Sequence, residues 1–308
     1  MENIEIVSTG KYLPKIEVLN KELAQKYSVT EEYIEKRTGI KKRYFVKEES
    51  LIQVAVKAAK DALKNNIKSE EIELIIVATT TTQNLMPGIS NLIQKELKIE
   101  KCICLDILAG CSGYINAFDI ARNYIAIGKI KAAMVIGVDI LSEYVNKEDV
   151  GTAIILSDGA GATIIQKNDK EKKYESNIKS DGENSEILTC KTDEKIYMDG
   201  KAIYKYAVTE TVKNVIELLE NSKESLENIK YIVPHQSNIK IINSIATRLG
   251  IKKEKMYTNL QNVGNTFCAS IPIVLSEMFE KNELTRGDKI VLLGYGGGLN
   301  TGSILIEI

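Results

Sequence analysis

The 308-residue chain has very little histidine: His235 is its only one. Any chemistry that needs an imidazole must use that residue, and a metal site built from several histidines is excluded. The sequence also lacks a run of about 18 apolar residues, so we expect no transmembrane helix. It begins with acidic residues at Glu2 and Glu5 and has no basic-then-apolar leader, so we expect no signal peptide.

A strong charge of one sign is absent as well. The net charge is −1, with acidic and basic residues interspersed, which argues against general affinity for nucleic acid or for a membrane surface. The five cysteines form no regular framework, and their odd number predicts a protein of the reducing cytoplasm. Cys102 and Cys104 alternate with apolar residues on a predicted strand, so we expect no metal site there.

The chain has a candidate nucleophile at Cys111. An apolar run over 102–105 leads into a turn with small neighbours, Gly110 and Gly113, and a helical pattern of apolar residues follows. We therefore expect Cys111 at a tight strand-to-helix turn, where the unpaired N–H groups of the first helical turn favour a thiolate. A buried structural cysteine is the competing interpretation of this stretch.

The order of predicted elements indicates a duplicated α/β fold with a parallel sheet in each half. The first half alternates strands and helices, and the second half repeats the order. The predicted elements of the two halves are 72–79, 89–97, 101–106, 112–127 and 132–138, then 229–234, 238–249, 255–258, 269–279 and 289–293. Overlaying the halves, which we place at 1–167 and 168–308, brings Asn265 close to the position of Cys111. His235 then follows the strand equivalent to 72–77, and one site between the halves is expected.

Three further stretches give weaker predictions. Residues 36–44 read as a basic loop, either a solvated turn or a site for an anionic ligand such as a nucleotide. Residues 152–156 and 161–166 read as an antiparallel extension of the first sheet. The glycine-rich stretch 294–298 follows a strand but lacks the spacing of a phosphate-binding motif, so it is typical of a turn.

Taken together, these motifs resemble the β-ketoacyl-acyl-carrier-protein synthase III family of the thiolase superfamily. The stretches that carry the resemblance occur in family order over nearly the whole chain: 37–40, 106–114, 158–162, 234–238, 264–266, 269–272 and 296–298. The resemblance implies a thiolase fold with five αβαβα layers. It also implies that Cys111 takes an acyl group from acyl-coenzyme A, and that His235 and Asn265 stabilise the enolate formed when malonyl-acyl carrier protein loses carbon dioxide. The backbone N–H groups of Cys111 and Gly297 would form the oxyanion hole.

The resemblance further implies contacts with substrates and partners. Arg37, Gly200 and Asn238 would contact coenzyme A, which is a substrate, so that no cofactor is expected, and Tyr204 would line the channel. The basic residues expected to receive the acidic carrier protein are Lys201, Lys205, Lys240 and Arg248. Proteins of this family form homodimers, so the resemblance also implies a homodimer.

The chain departs from the family pattern at three positions. Tyr33 and Val150 stand where the family often holds the adenine between Trp and Arg. Met86 stands where the family often has a Phe that caps the partner's acyl site, so the primer acyl chain could differ.

The implied activity is the condensation of a short acyl-coenzyme A primer, such as acetyl-coenzyme A, with malonyl-acyl carrier protein, which initiates fatty acid synthesis. One alternative is a related thiolase-fold acyltransferase of a specialised pathway. Another is a Cys–His hydrolase, which would cleave esters or peptides without decarboxylation. A degradative thiolase would need a second catalytic cysteine near 296–298, and a non-catalytic subunit would lack the nucleophile.

Overall fold

The computed structural model describes residues 3–64, 67–191 and 194–308. The strands are β1 (Asn3–Tyr12), β2 (Ile16–Leu19), β3 (Lys42–Phe45), β4 (Leu74–Ala78), β5 (Ile103–Ile107), β6 (Ala132–Asp139), β7 (Gly159–Asn168), β8 (Tyr174–Ser180), β9 (Leu188–Thr189), β10 (Tyr197–Met198), β11 (Ile229–Pro234), β12 (Lys289–Gly296) and β13 (Asn300–Glu307). The helices are α1 (Asn20–Tyr27), α2 (Glu31–Thr38), α3 (Leu51–Leu63), α4 (Ile89–Leu97), α5 (Gly113–Ala126), α6 (Val150–Ala153), α7 (Gly200–Ser222), α8 (Ile239–Arg248), α9 (Leu260–Val263) and α10 (Ser270–Glu280).

The first large sheet has the strand order β1-β7-β6-β4-β5. Strand β4 pairs in parallel with both β5 and β6, while β7 pairs antiparallel with β6 and β1. Every residue of β4 and β6 is buried, which is the pattern of parallel strands covered on both faces. The sequence therefore predicted this central part of the sheet correctly.

The second large sheet repeats this arrangement with the order β8-β13-β12-β11. Strands β11 and β12 are parallel, and β13 pairs antiparallel with β12 and β8. The predicted fifth strand over 255–258 is wrong: a 3₁₀ turn forms at Lys253–Lys255, and only a single bridge joins Met256 to Ile232. The N–H of Met256 bonds within that turn to the carbonyl of Lys253, so it is not available to a ladder.

The two sheets and their helices stack in five layers. Helices α5 and α10 lie between the sheets and share one apolar core with them. Helices α3 and α4 cover the outer face of the first sheet, and α7 and α8 cover that of the second. This is the expected αβαβα order. The division of the chain at 167/168 stays a prediction.

Two other predicted stretches are corrected by the structure. Residues 152–156 do not form a strand, because the Asp149 side chain accepts the N–H of Gly151 and begins helix α6. Residues 36–44 are not one basic loop but the end of α2, a turn at Gly39 and strand β3. Arg43 on β3 is fully buried and donates to the side chain of Asn20 and the carbonyl of Ile154. It therefore cannot meet a ligand at the surface.

Within the described ranges, no helix is both long and apolar enough to cross a membrane.

Candidate active site

Cys111 lies in a 3₁₀ turn, Gly110–Ser112, between β5 and α5, as the sequence predicts. The end of β12 presses closely against this turn. A Cβ atom added at Gly296 would lie 2.8 Å from the Cys111 sulfur, and one added at Gly110, where φ is +58°, would collide with the carbonyl oxygen of Gly297. Glycine at these two positions lets the backbone of 296–297 reach the sulfur.

The Cys111 thiol is held in its protonated form. Burial, and to a smaller extent the nearby Asp139 carboxylate, raise its pKa to about 12. Hydrogen bonds from the backbone at Gly297 and at Cys111 itself lower the pKa, but by less. The expectation that this turn favours a thiolate is therefore wrong for the free protein, because desolvation of the sulfur outweighs the donors of the turn.

Asp139, at the end of β6, links the two halves beneath Cys111. Its carboxylate accepts hydrogen bonds from the backbone N–H of Thr80 at 2.7 Å and from that of Cys268 at 2.9 Å. The Thr80 hydroxyl donates to it as well, at 2.8 Å. The Cys268 thiol in turn donates to the carbonyl of Gly110. The turn that carries the nucleophile and the segment before α10 are thus fixed against each other.

His235 follows β11 directly and is only 2% exposed. Its Nδ1 lies 2.7 Å from the hydroxyl oxygen of Ser270, and its ring meets that of Tyr295 edge-on with centroids 5.4 Å apart. Burial lowers the pKa of His235 to about 3. The imidazole is therefore neutral at physiological pH, and a hydroxyl that donates to Nδ1 leaves Nε2 as an N–H donor.

Hydrogen bonds of both the backbone and the side chain fix the position of Asn265. Its N–H donates to the carbonyl of Ile155 at 3.0 Å, and its carbonyl accepts the N–H of Ser157 at 2.9 Å. Its side-chain oxygen accepts the N–H of Phe267 at 3.0 Å. That contact orients the carboxamide, so Nδ2 is the group that Asn265 can offer to a ligand.

Cys111 and His235 both contact the end of β12, and Asn265 lies in a neighbouring segment. Tyr295 contacts the ring of His235, and burial, together with the smaller effect of the nearby Cys111, raises the pKa of the Tyr295 phenol. The neighbouring Gly296 abuts Cys111. Asn265 lies in the segment before α10, the helix that also supplies Ser270 to His235.

Two cavities flank this group. The large cavity, about 670 Å³, is lined by Asn265 and by predicted substrate and carrier residues: Arg37, Gly200, Lys201, Tyr204, Asn238 and Lys240. The small cavity, about 350 Å³, is lined by Cys111 and Gly297. Phe267 and Ile196 line both cavities.

Comparison with known proteins agrees with this arrangement. Models of the 3-oxoacyl-[acyl-carrier-protein] synthase III family and of its C-terminal part match residues 105–182 and 219–308. The beta-ketoacyl-[acyl-carrier-protein] synthase III of Clostridium novyi is 39% identical over 100% of this chain and 99% of its own length. That of Aquifex aeolicus is 40% identical over 98% and 99%. The crystal structure of the Aquifex aeolicus protein superposes with a TM-score of 0.97, at 39% identity over 99% of this chain and 100% of that one.

The chain belongs to the 3-oxoacyl-[acyl-carrier-protein] synthase III family. The predicted thiolase fold is confirmed by the same comparison.

The structure shows where the three residues that depart from the family pattern lie. Tyr33 does not line the large cavity; the guanidinium of Arg37 lies over its ring, 5.8 Å from the centroid. Val150 packs in an apolar cluster with α1 and α2, and Met86 is 86% exposed.

The remaining basic residues expected to receive the carrier protein lie on two neighbouring helices. Lys205 is exposed on α7, and Arg248 is exposed on α8. The two helices pack together, with the Tyr204 hydroxyl 2.7 Å from that of Ser244. Lys201 and Lys240 are exposed at the large cavity between the same two helices.

Sequence reasoning missed several residues of this synthase site. Ser270 and Tyr295 lie within the stretches 269–272 and 294–298, but sequence reasoning assigned them no role, and Phe267 lies between the stretches 264–266 and 269–272. Asp139 also had a signal, since it ends a strand that is otherwise apolar. Among the described residues, no group of three or more His, Cys, Asp or Glu side chains could hold a metal ion.

Proposed function

We propose that this chain condenses a short acyl-coenzyme A primer with malonyl-acyl carrier protein through an acyl-Cys111 intermediate. The product would be a 3-oxoacyl-acyl carrier protein, the first condensation product of fatty acid synthesis. The observation that supports this proposal is a buried Cys111 thiol under backbone donors, together with a neutral His235 imidazole and an oriented Asn265 carboxamide. The names of the relatives agree with this chemistry.

In the first step, the Cys111 sulfur attacks the thioester carbonyl of the primer. The carbonyl oxygen accepts the N–H groups of Cys111 and Gly297, which contact the sulfur in the free protein. Donors of this kind stabilise the charge that develops on the oxygen and are typically worth about 2.7–4 kcal/mol. The C–S bond to coenzyme A breaks, and coenzyme A leaves as a thiol with the proton that Cys111 gives up.

In the second step, carrier-bound malonate loses carbon dioxide. The enolate oxygen that results accepts hydrogen bonds from Nε2 of His235 and Nδ2 of Asn265. The carbanion attacks the acyl-Cys111 carbonyl, a carbon–carbon bond forms, and the Cys111 sulfur leaves and regains a proton. Because both donors are neutral, they stabilise the enolate without protonating its carbon.

The electrostatics disfavour the alternative of a Cys–His hydrolase. A hydrolase would need His235 to take the thiol proton as a general base. A group with a pKa of about 3 is a poor base at neutral pH, since efficient bases have a pKa close to the working pH. The imidazole is better suited to donating a hydrogen bond.

Incubation with acetyl-coenzyme A followed by intact mass spectrometry tests the first step. We expect one acetyl adduct per chain, absent in Cys111→Ser. Cys102→Ser is the matched control, because this half-buried cysteine, just before β5, lines neither cavity and its loss should leave the adduct intact. An adduct that persists in Cys111→Ser would refute the assignment.

The second step is tested separately by His235→Ala. This variant should still accept the acetyl group from acetyl-coenzyme A but should release carbon dioxide from malonyl-acyl carrier protein at least about 100-fold more slowly, as for loss of an oxyanion donor. Normal decarboxylation by the variant would show that His235 has another role.

For the substrates, we propose that Arg37, Gly200, Tyr204 and Asn238 hold the coenzyme A arm in the large cavity. The four basic residues on α7 and α8 would receive the acidic carrier protein around its mouth. Charge reversal at Lys240 or Arg248 should weaken carrier binding, and at Arg248, which lies outside the large cavity, it should leave acetyl transfer from coenzyme A unchanged. Lys68→Glu, an exposed lysine outside both cavities, is the control. Equal carrier affinity of Arg248→Glu and Lys68→Glu would exclude the patch.

We also propose that the chain works as a homodimer in the cytoplasm. Three large apolar residues near the outer edge of the first sheet are exposed: Leu85 fully, Met86 by 86% and Leu108 by 69%. Strand β5 ends the sheet on the same side. Light scattering should report a dimer, and Met86→Lys should weaken it; a monomeric wild-type protein would refute this part. The five free cysteines fit a reducing compartment.

A further inference from the structure

The small cavity at Cys111 and the large cavity meet at one apolar constriction. Phe267 and Ile196 line both of them, and both are buried in the cluster that contains Cys111. Phe267 and Ile196 are therefore the side chains that a group passing directly from the large cavity to the sulfur would meet.

Phe267 holds its place in an unfavourable backbone conformation. Its φ is +44°, a region that bulky residues rarely adopt and that costs about 1–3 kcal/mol. Its N–H is bound by the side-chain oxygen of Asn265, and the next N–H, that of Cys268, is bound by Asp139. The surrounding hydrogen bonds thus fix an aromatic ring at the constriction.

Space beyond the constriction does not limit the acyl group. At the ~30 Å³ that one water molecule occupies in the liquid, a cavity of about 350 Å³ has room for roughly a dozen non-hydrogen atoms. An acetyl group has three. Volume in the single chain therefore does not distinguish an acetyl group from longer acyl groups, which leaves the side chains at the constriction as the candidate filter.

We infer that Phe267 determines which acyl groups reach Cys111. This inference rests on the proposed function. It holds that the acyl chain of a thioester bound in the large cavity passes between Phe267 and Ile196 to reach Cys111. Small unbranched acyl groups pass readily, whereas longer or branched ones require the ring to move. Phe267 is thereby a specificity-determining residue next to the catalytic carboxamide of Asn265.

The test compares acyl transfer to Cys111 from acetyl-, hexanoyl- and isobutyryl-coenzyme A in a single turnover, followed by intact mass. In Phe267→Ala, the ratio of the hexanoyl rate to the acetyl rate, and that of the isobutyryl rate to the acetyl rate, should rise at least tenfold. Phe279→Ala is the matched control, because this half-buried phenylalanine on α10 lines neither cavity. Its ratios should equal those of the wild type.

Circular dichroism would show whether Phe267→Ala folds. A second variant keeps the inference testable if it does not. Ile196→Ala widens the same constriction from the other side and should raise the same ratios. If the folded variants form normal acetyl adducts but their rate ratios equal those of the wild type, the inference about Phe267 is overturned and the proposed function still stands. If the wild type forms no adduct with any of the three thioesters, the proposed function fails, and this inference fails with it.

Discussion

The neutral state of His235 can be tested through the pH dependence of stability. Burial lowers the pKa of His235 to about 3 from an ordinary value of 6.5. Between these two values the unfolded chain binds one proton that the folded chain does not. The stability that depends on the neutral imidazole is therefore complete above pH 6.5 and is lost as the pH falls from 6.5 toward 3.

The magnitude follows from the size of the shift. One pH unit of difference corresponds to about 1.4 kcal/mol, so a displacement of about 3.5 units corresponds to roughly 5 kcal/mol if the whole range could be measured. Between pH 7 and pH 4.5, the expected loss from this one group is about 2.5 kcal/mol. That amount is a large part of the stability of an ordinary domain.

The assay is urea unfolding of the wild type and of His235→Asn at several pH values between 4.5 and 7.5. Asn cannot titrate in this range, so the advantage of the wild type over the variant should shrink by about 2.5 kcal/mol as the pH falls from 7 to 4.5. Burial also raises the pKa values of Asp139 and Asp158, but these groups are present in both proteins and their contribution cancels. Parallel curves for the two proteins would show that His235 is not buried in a neutral form.

Further predictions concern the surroundings of the thiol and of the buried arginine. Gly296→Ala should abolish the acetyl adduct on Cys111, because the new Cβ would lie 2.8 Å from the sulfur; an adduct of normal yield would contradict the close approach. Alkylation of Cys111 by iodoacetamide should accelerate about tenfold per pH unit up to pH 10, since only the thiolate reacts and its pKa is about 12; a plateau below pH 9 would contradict this value. Asp139→Asn should lower the pKa of Cys111 and speed alkylation at fixed pH, whereas an unchanged rate would show that the carboxylate carries no charge. Arg43→Met should lower the unfolding free energy by about 2–4 kcal/mol, since buried acceptors lose their donor; a urea midpoint equal to that of the wild type would exclude this contribution.

The neutral donors and the high thiol pKa are parts of one electrostatic arrangement. The same burial that keeps His235 uncharged also keeps Cys111 protonated. In a dry site, hydrogen bonds to a developing negative charge are stronger than in water. The free protein therefore protects its thiol, and the donors act fully only when a thioester carbonyl or an enolate is present.

The sequence alone determined the pattern of the fold and the candidates for the reacting groups. Continuous apolar runs such as those of β4 and β6 are typical of strands covered on both faces, and their spacing with helices indicated the α/β class. A chain with a single histidine left no choice of imidazole. The repeat of the pattern placed Asn265 close to the position of Cys111, because related halves fold by the same local rules.

Only the tertiary structure decided the state of those groups and the path to them. The pKa of Cys111 depends on how much water the second half excludes and on the carboxylate of Asp139, which is 28 positions away in the sequence. The strand expected at 255–258 was lost to a local turn, and Arg43 proved to be buried between elements that are distant along the chain. The constriction at Phe267 and Ile196 likewise exists only because two segments that are distant along the chain are packed together. The local sequence pattern shows which face of a helix or strand is apolar. Burial, nearby charges and cavities depend instead on residues that are distant in the sequence and become neighbours only in the folded chain.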